Sequence, residues 1–340
     1  MDAVIKSPSV TGNEAVQNES AALSRKASYS AFCETEPSIP VFCTSWWLDA
    51  VVGPTNWDVA LAILNGRIIG AMPFVTCKRF GMKVIQQPPL TPFLGPWIAQ
   101  NGEKASTRLG NEQRVMLSLI EQLPRFDHFR QTLSRNVSNW LPFYWKGFSQ
   151  TTEYTYVVHG LDDLDKVWSN FDSSRRKHCK QGAGRLRVCE DLPVDAFLAL
   201  HKITLANRGI VQSFDDDCLR RLDAACAARG RRKIHIVVDE EGNHCAGTYT
   251  VWDSTCAYAL MKGSHPEMHN SGAPSLCQWE AIKFSSTVAP KYDFLGNSNP
   301  SIEPYVRSFG TEQSQIFTIS KTPSRLLRLR QGLKLALPKS

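Results

Sequence analysis

The sequence has no C-x-x-C pair, no apolar run long enough to cross a bilayer and no acid in its last twenty residues. Each absence excludes something. Ten cysteines could frame a disulfide scaffold, but they stand singly between Cys33 and Cys277. They are expected to be reduced, mostly buried, small apolar residues. The opening MDAVIKSPSVTGNE lacks a charged flank followed by an apolar core, so no signal peptide is expected and the chain reads as cytoplasmic. The longest apolar runs, such as residues 68–75, are too short for a membrane span. The formal net charge is +7, and six cations in residues 321–340 supply nearly all of it. The remaining body is close to neutral, which speaks against a basic nucleic-acid surface and against DNA as a partner.

What is present is ordinary for a soluble globular chain. Of 340 residues, 42% are apolar and 21% charged, enough to bury a sizeable core in one large or two ordinary domains. Residues 1–30 are polar, Ser-rich and aperiodic, and are expected to be disordered. WDVALAIL-NG-RIIGAMPFV (57–75) predicts two strands joined by a tight Asn65-Gly66 turn. Apolar residues at 115, 116, 119, 120 and 123 predict an amphipathic helix over 111–123. Strands are expected in FDHFRQTLS and TTEYTYVVHG. Helices are expected over 162–182, 193–209, 215–230 and 273–286, the last with Pro274 in its first turn. KIHIVVD, HCAGTYTVWD and AYALMKG predict three strands with short turns, and KYDFLGN a further one. The second half thus repeats the plan of the first, with Gly247 where the first hairpin has Gly70.

Three constellations carry chemistry. SSRRKHCKQGAGRLR (173–187) holds Arg175, Arg176 and Lys180 among six cations without an acid, a candidate anion contact or a solvated helix face. HPEMH offers His265, Glu267 and His269, with Cys277 beyond, but only loop spacing, so no metal is expected. Residues 323–338 are basic and leucine-rich, suited to an anionic membrane surface or to packing on the body.

Four stretches, in this order, carry a resemblance: FCTSWWLDAVVGPTNWDVALAILNGRIIGAMPFV, FDSSRRKHCKQG, NSGAPSLCQWEAIKFSS and YDFLGNSNPSIEPYVRSFG. Together they resemble the GNAT acyltransferase superfamily over residues 40–320. The likeness is to its FemAB-like and CelD-like branch, where two GNAT-like units sit in tandem. The resemblance implies an α/β (α+β) fold of two such units, each a mixed, mostly antiparallel sheet with a splayed parallel pair flanked by helices. The expected division is 1–30 disordered, 31–160 the first unit, 161–321 the acyltransferase unit and 322–340 a basic amphipathic tail. The splayed strands would be 257–263 and 291–296. The phosphate turn would be HNSGAPS, bringing His269, Ser271, Gly272, Ala273 and Ser275 to the donor, with Arg175, Arg176 and Lys180 nearby.

The family turn resembles Arg/Gln-x-x-Gly-x-Gly/Ala, and here it reads His269-x-x-Gly272-x-Pro274. Pro274 removes one amide donor. The expected reaction moves an acyl group, acetyl in the leading reading, from acyl-CoA to an amine, with an envelope or polysaccharide precursor as acceptor. An aminoacyl-tRNA donor and a non-catalytic scaffold, with peripheral membrane contact through 322–340, are the alternatives. Tyr305 is the candidate acid or a packed tyrosine tied to backbone. Asp293 is the candidate base or orienting group, or a buried acid paired with Arg307 or capping the loop at Asn297-Ser298. His265 is a further base candidate. Tyr305→Phe and Asp293→Asn are each expected to lower turnover with little effect on folding.

Overall fold

Tyr29 has no exposed surface, and its hydroxyl donates to the Cys43 carbonyl at 2.7 Å. With Phe32 and Cys33 it fastens helix α1 (Thr11–Thr35) to the core. This corrects the expectation of disorder for residues 11–30, because three apolar side chains within five residues give a polar helix a face to bury. The computed structural model describes residues 11–100, 104–190, 192–296 and 299–324. Residues 1–10 and the basic stretch 325–340 lie outside them.

After α2 (Ser45–Val52) come β1 (Trp57–Leu64) and β2 (Arg67–Arg79). Asn65 and Gly66 turn between them at φ of 50° and 75°, as the Asn-Gly pair predicts. Then follow β3 (Met82–Gln86), β4 (Trp97–Ile98), α3 (Ala105–Glu121), β5 (His128–Thr132), α4 (Leu141–Trp145) and β6 (Ser149–His159). The second half opens with α5 (Leu164–Asn170) and α6 (Ser173–Ala183), two helices where one was expected. It continues with β7 (Arg187–Glu190), α7 (Val194–Asn207), α8 (Asp216–Ala228), β8 (Arg232–Val238), β9 (His244–Trp252) and β10 (Ala257–Ser264). Last are α9 (Ala273–Ser285), β11 (Lys291–Asp293), α10 (Glu303–Arg307) and β12 (Glu312–Lys321).

The strands form one mixed sheet in the order β1-β2-β3-β5-β12-β6-β11-β10-β9-β8-β7, with β4 paired to β2 off this path. Two neighbouring pairs are parallel, β3 with β5 and β10 with β11, and the others are antiparallel. The repeat is therefore real. In each half a hairpin and a third strand lead into a helix (α3 or α9) and then a parallel strand.

The halves also exchange strands. β6 lies between β11 and β12, and β12 pairs with β5 on its other edge. A cut at residue 160 therefore does not separate two sheets.

Helices cover both faces. Tyr292 and Phe294 pack into a cluster with Ala281 and Ile282 of α9. Tyr258 packs oppositely, with Phe197 of α7 and Leu219 of α8. A fully buried large side chain of this kind is worth about 1.5–3 kcal/mol. All ten cysteines are free and seven are buried, as small apolar residues are.

Candidate functional site

β10 and β11 pair only at Ala257–Tyr292 and Tyr258–Asp293. Directly after this, the register of β10 against β9 shifts between Ala259 and Met261. Such a bulge increases the local twist and bends the strand, and β10 leaves β11. A cavity of about 570 Å³ opens in the fork, lined by Leu260, Lys262, Phe294, Leu295, Pro274 and Tyr305 among others. Helix α7 closes one side. It approaches so closely that a Cβ on Gly263 would meet the His201 nitrogen at 2.8 Å. From α7, the His201 Nδ1–H donates to the Lys262 carbonyl at 2.9 Å, and Thr204 accepts the Ser264 N–H at 2.7 Å. Part of the β10 backbone beyond the bulge is therefore already satisfied within the chain.

Lys262 is the charged side chain that β10 brings to this fork. Its Nζ donates to the Phe294 carbonyl at 3.2 Å and sits 4.8 Å from the centre of the Phe294 ring. Burial lowers its pKa to about 8, with Asp293 pulling the other way. The sequence reading took AYALMKG as a strand and missed this residue. The available signal was a lone lysine inside an otherwise apolar strand.

The expected phosphate turn lies at the cavity rim, where His269 and Pro274 contribute to the lining. Gly272 caps α9 at φ +89°. A Cβ there would lie 2.3 Å from the His178 carbonyl oxygen and 2.7 Å from the Gly182 nitrogen. Gly272 and Gly182 thus let α6 and α9 touch backbone to backbone, which accounts for a glycine in the basic stretch. The turn offers few donors. The Ala273 N–H is taken by Ser271 Oγ at 3.1 Å, Ser271 Oγ donates to Met268, and Pro274 has no N–H.

The basic residues divide. Arg175 reaches the cavity, but its guanidinium donates to Ser308 at 2.8 Å and Ser275 at 2.6 Å and lies 4.3 Å from the Tyr305 ring centre. It ties α6 to α9 and α10. Arg176 donates to the Ser169 and Phe171 carbonyls. It lines a separate surface depression with Lys180.

Tyr305 lines the cavity, and its hydroxyl donates to the Pro274 carbonyl at 3.0 Å. Burial raises its pKa, so the phenol holds its proton. The backbone tie weighed from the sequence is present, and the ring still faces the fork. His265 follows β10, and its backbone N–H donates to the Cys245 carbonyl at 2.9 Å; it is not among the residues lining the cavity. Among the described residues no three His, Cys, Asp or Glu side chains converge as metal ligands would.

Asp293 alternates with Tyr292 and Phe294 and points to the other face. Its Oδ1 accepts the Thr155 hydroxyl and the Leu295 N–H at 2.8 Å. Burial raises its pKa, while Arg135 opposes that rise. The ion-pair partner is Arg135, whose Nε lies 3.8 Å from Oδ2. It is not Arg307, which pairs with Glu303 at 2.9 Å. Nothing in the sequence marks Arg135, which follows β5 and approaches Asp293 of β11 across 158 positions only through the long-range order of the sheet. A second cavity of about 390 Å³ opens here, bounded by Arg135, Glu153, Thr155, Asp293 and Phe93. Leu295 and Gly296 line both cavities.

A splayed parallel pair with a cavity in the fork and a helix starting at its rim is the arrangement that the GNAT resemblance implies. Residues 166–305 match the family model described as the acetyltransferase (GNAT) domain. The similarity to that family lies in the second half of the chain, on the segment that holds the fork. Solved structures share the fold over nearly the whole chain. FemX is 12% identical with a TM-score of 0.64, covering 90% of this chain and 98% of its own. A conserved protein of unknown function from Bacteroides thetaiotaomicron is 11% identical with a TM-score of 0.54, covering 88% and 96%. L-PGS from Bacillus licheniformis is 9% identical with a TM-score of 0.51, covering 86% and 93%. No curated protein matches the chain in sequence. No helix among the described residues is long and apolar enough to cross a membrane.

Proposed function

We propose that the chain transfers an acyl group, acetyl in the simplest case, from acyl-CoA to a primary amine on a cell-envelope or polysaccharide precursor. The observation that carries this reading is the fork itself, an open cavity against β10 with the Lys262 ammonium beside the Phe294 carbonyl. The donor thioester lies in the fork with its phosphates toward His269 and the Gly272 turn. The neutral amine attacks the carbonyl carbon, and a C–N bond forms. Lys262 faces the oxyanion that develops, the kind of fixed charge that stabilises such a transition state. The C–S bond then breaks, the attacking nitrogen loses a proton to solvent, and the sulfur takes one. Tyr305 is the donor of that proton, which its raised pKa keeps available at neutral pH. Asp293 lies beyond Leu295 and orients the incoming amine.

A second reading has one specific support. With Ala273 occupied and Pro274 without an N–H, the turn is poor in pyrophosphate donors. An aminoacyl-tRNA ester needs no such turn, and the FemAB resemblance implies that donor. Titration of the full chain with acetyl-CoA, with desulfo-CoA and inorganic phosphate as controls, separates the two. A saturable rise in melting temperature, followed by thiol release when amines are added, is the expected result. No rise at millimolar acetyl-CoA overturns the acyl-CoA assignment and moves the donor to aminoacyl-tRNA.

A further inference from the structure

We propose that the cavity between the two halves holds the acceptor, and that Arg135 binds a carboxylate carried by the acceptor amine. The inference rests on the acyl-transfer reading above and adds the acceptor's chemical class.

Arg135 is the unexplained group. Its side chain is 12% exposed, and among the described residues its guanidinium makes no hydrogen bond. Its ion-pair partner, Asp293, stands at 3.8 Å, beyond hydrogen-bond reach, and Asp293 Oδ1 is already served by Thr155 and Leu295. A guanidinium carries five N–H donors in a planar fork. These donors are not enclosed by protein but face an open space of about 390 Å³. A carboxylate fits that fork in bidentate fashion better than any neutral group.

The rest of the wall suits a zwitterion. Glu153 and Asp293 supply negative charge for the ammonium end, and Phe93 and Pro92 supply apolar surface for what lies between. Glu153 is itself held, with Oε1 accepting the Thr318 hydroxyl at 2.8 Å. Leu295 and Gly296 separate this cavity from the donor fork and line both. A molecule anchored by its carboxylate at Arg135 presents its amine toward that strip, beyond which the acyl carbon lies. The volume sits at the low end of the range for small-ligand sites, which suits an amino acid or the amino-acid end of something larger.

The test uses the full chain with no acyl donor present. L-alanine, β-alanine and L-lysine are titrated calorimetrically beside their carboxamides and 2-aminoethyl phosphate. At least one amino acid is expected to bind about tenfold tighter than its carboxamide, and Arg135→Gln to abolish the difference. Because glutamine leaves Asp293 without a cation, Arg135→Lys is the second variant. It keeps the charge, is expected to stay folded, and loses most of the preference because an ammonium lacks the planar fork. Equal binding of acid and amide, a preference that survives Arg135→Lys, tighter binding of the phosphate compound, or no binding of any amino acid overturns the proposal. Failure of acetyl-CoA to bind is a separate result and leaves an Arg135-dependent preference standing.

Discussion

The Lys262 ammonium donates to the Phe294 carbonyl at 3.2 Å across the gap where β10 and β11 part. Those two strands pair at only two positions before the gap. A side chain from one arm therefore meets the backbone of the other, and a positive charge is fixed at the apex of the cavity.

That charge predicts a pH profile. Burial has lowered the Lys262 pKa to about 8. If the ammonium form stabilises the oxyanion, kcat/KM in the free enzyme falls as pH rises through about 8. Lys262→Met is expected to cut turnover by ~10²–10³ and to flatten this limb. Lys262→Arg is expected to keep part of the rate and move the limb above the measurable range. An unchanged limb in the methionine variant removes Lys262 from the mechanism.

The same group predicts how stability follows pH. An unfolded lysine titrates near ~10.4, and the folded one near 8. Between those values the unfolded chain binds more protons, so the contribution of this residue to stability rises with pH. Below about 8 its burial cost is fully present, at most ~3 kcal/mol. Thermal melts of Lys262→Met and wild type are therefore expected to favour the variant most at pH 7, with the advantage shrinking toward pH 10.

Gly272→Ala is expected to act on two levels. The positive φ disfavours any side chain, and the new Cβ would collide with backbone at 2.3 Å and 2.7 Å. Destabilisation of ~1–3 kcal/mol is expected, visible in urea unfolding, together with loss of any acetyl-CoA-induced rise in melting temperature. Gly242→Ala, where φ is also positive but no atom stands within 4 Å, serves as the control and keeps that rise.

Tyr305→Phe and Asp293→Asn should now part company. Tyr305 loses one neutral hydrogen bond to Pro274, at about 1 kcal/mol, and with it the proposed acid, so turnover falls by ~10- to 100-fold. Asp293→Asn removes the charge facing Arg135 at a 2%-exposed position and is expected to cost ~1–3 kcal/mol of folding free energy. A small folding effect is therefore expected for the tyrosine variant alone. Urea unfolding of both variants beside steady-state rates checks the split.

Much of the fold was legible because it is local. Asn65-Gly66, the apolar spacing before Leu123 and the Ala273-Pro274 helix start each report on a handful of neighbouring residues, and the doubled order of elements marks the repeat. The fork was legible only through resemblance, and its apex was missed. Lys262 reads as a strand lysine until the bulge at Ala259–Met261 separates the arms. Asp293 drew attention as a carboxylate in a strand, but its partner Arg135 depends on a pairing between distant strands. No spacing rule reaches across such a pairing.

The interleaving of β6 and β12 has a consequence for synthesis on the ribosome. β12, at Glu312–Lys321, is the last described strand, yet it fills the slot between β5 and β6. Until residue 321 clears the exit tunnel, both of those earlier strands wait with an open edge. Such edges are templates for wrong pairing, and closures this far apart in sequence are slow. Those edges stay open to wrong pairing until β12 arrives, and truncation before residue 312 removes the seam that joins the halves.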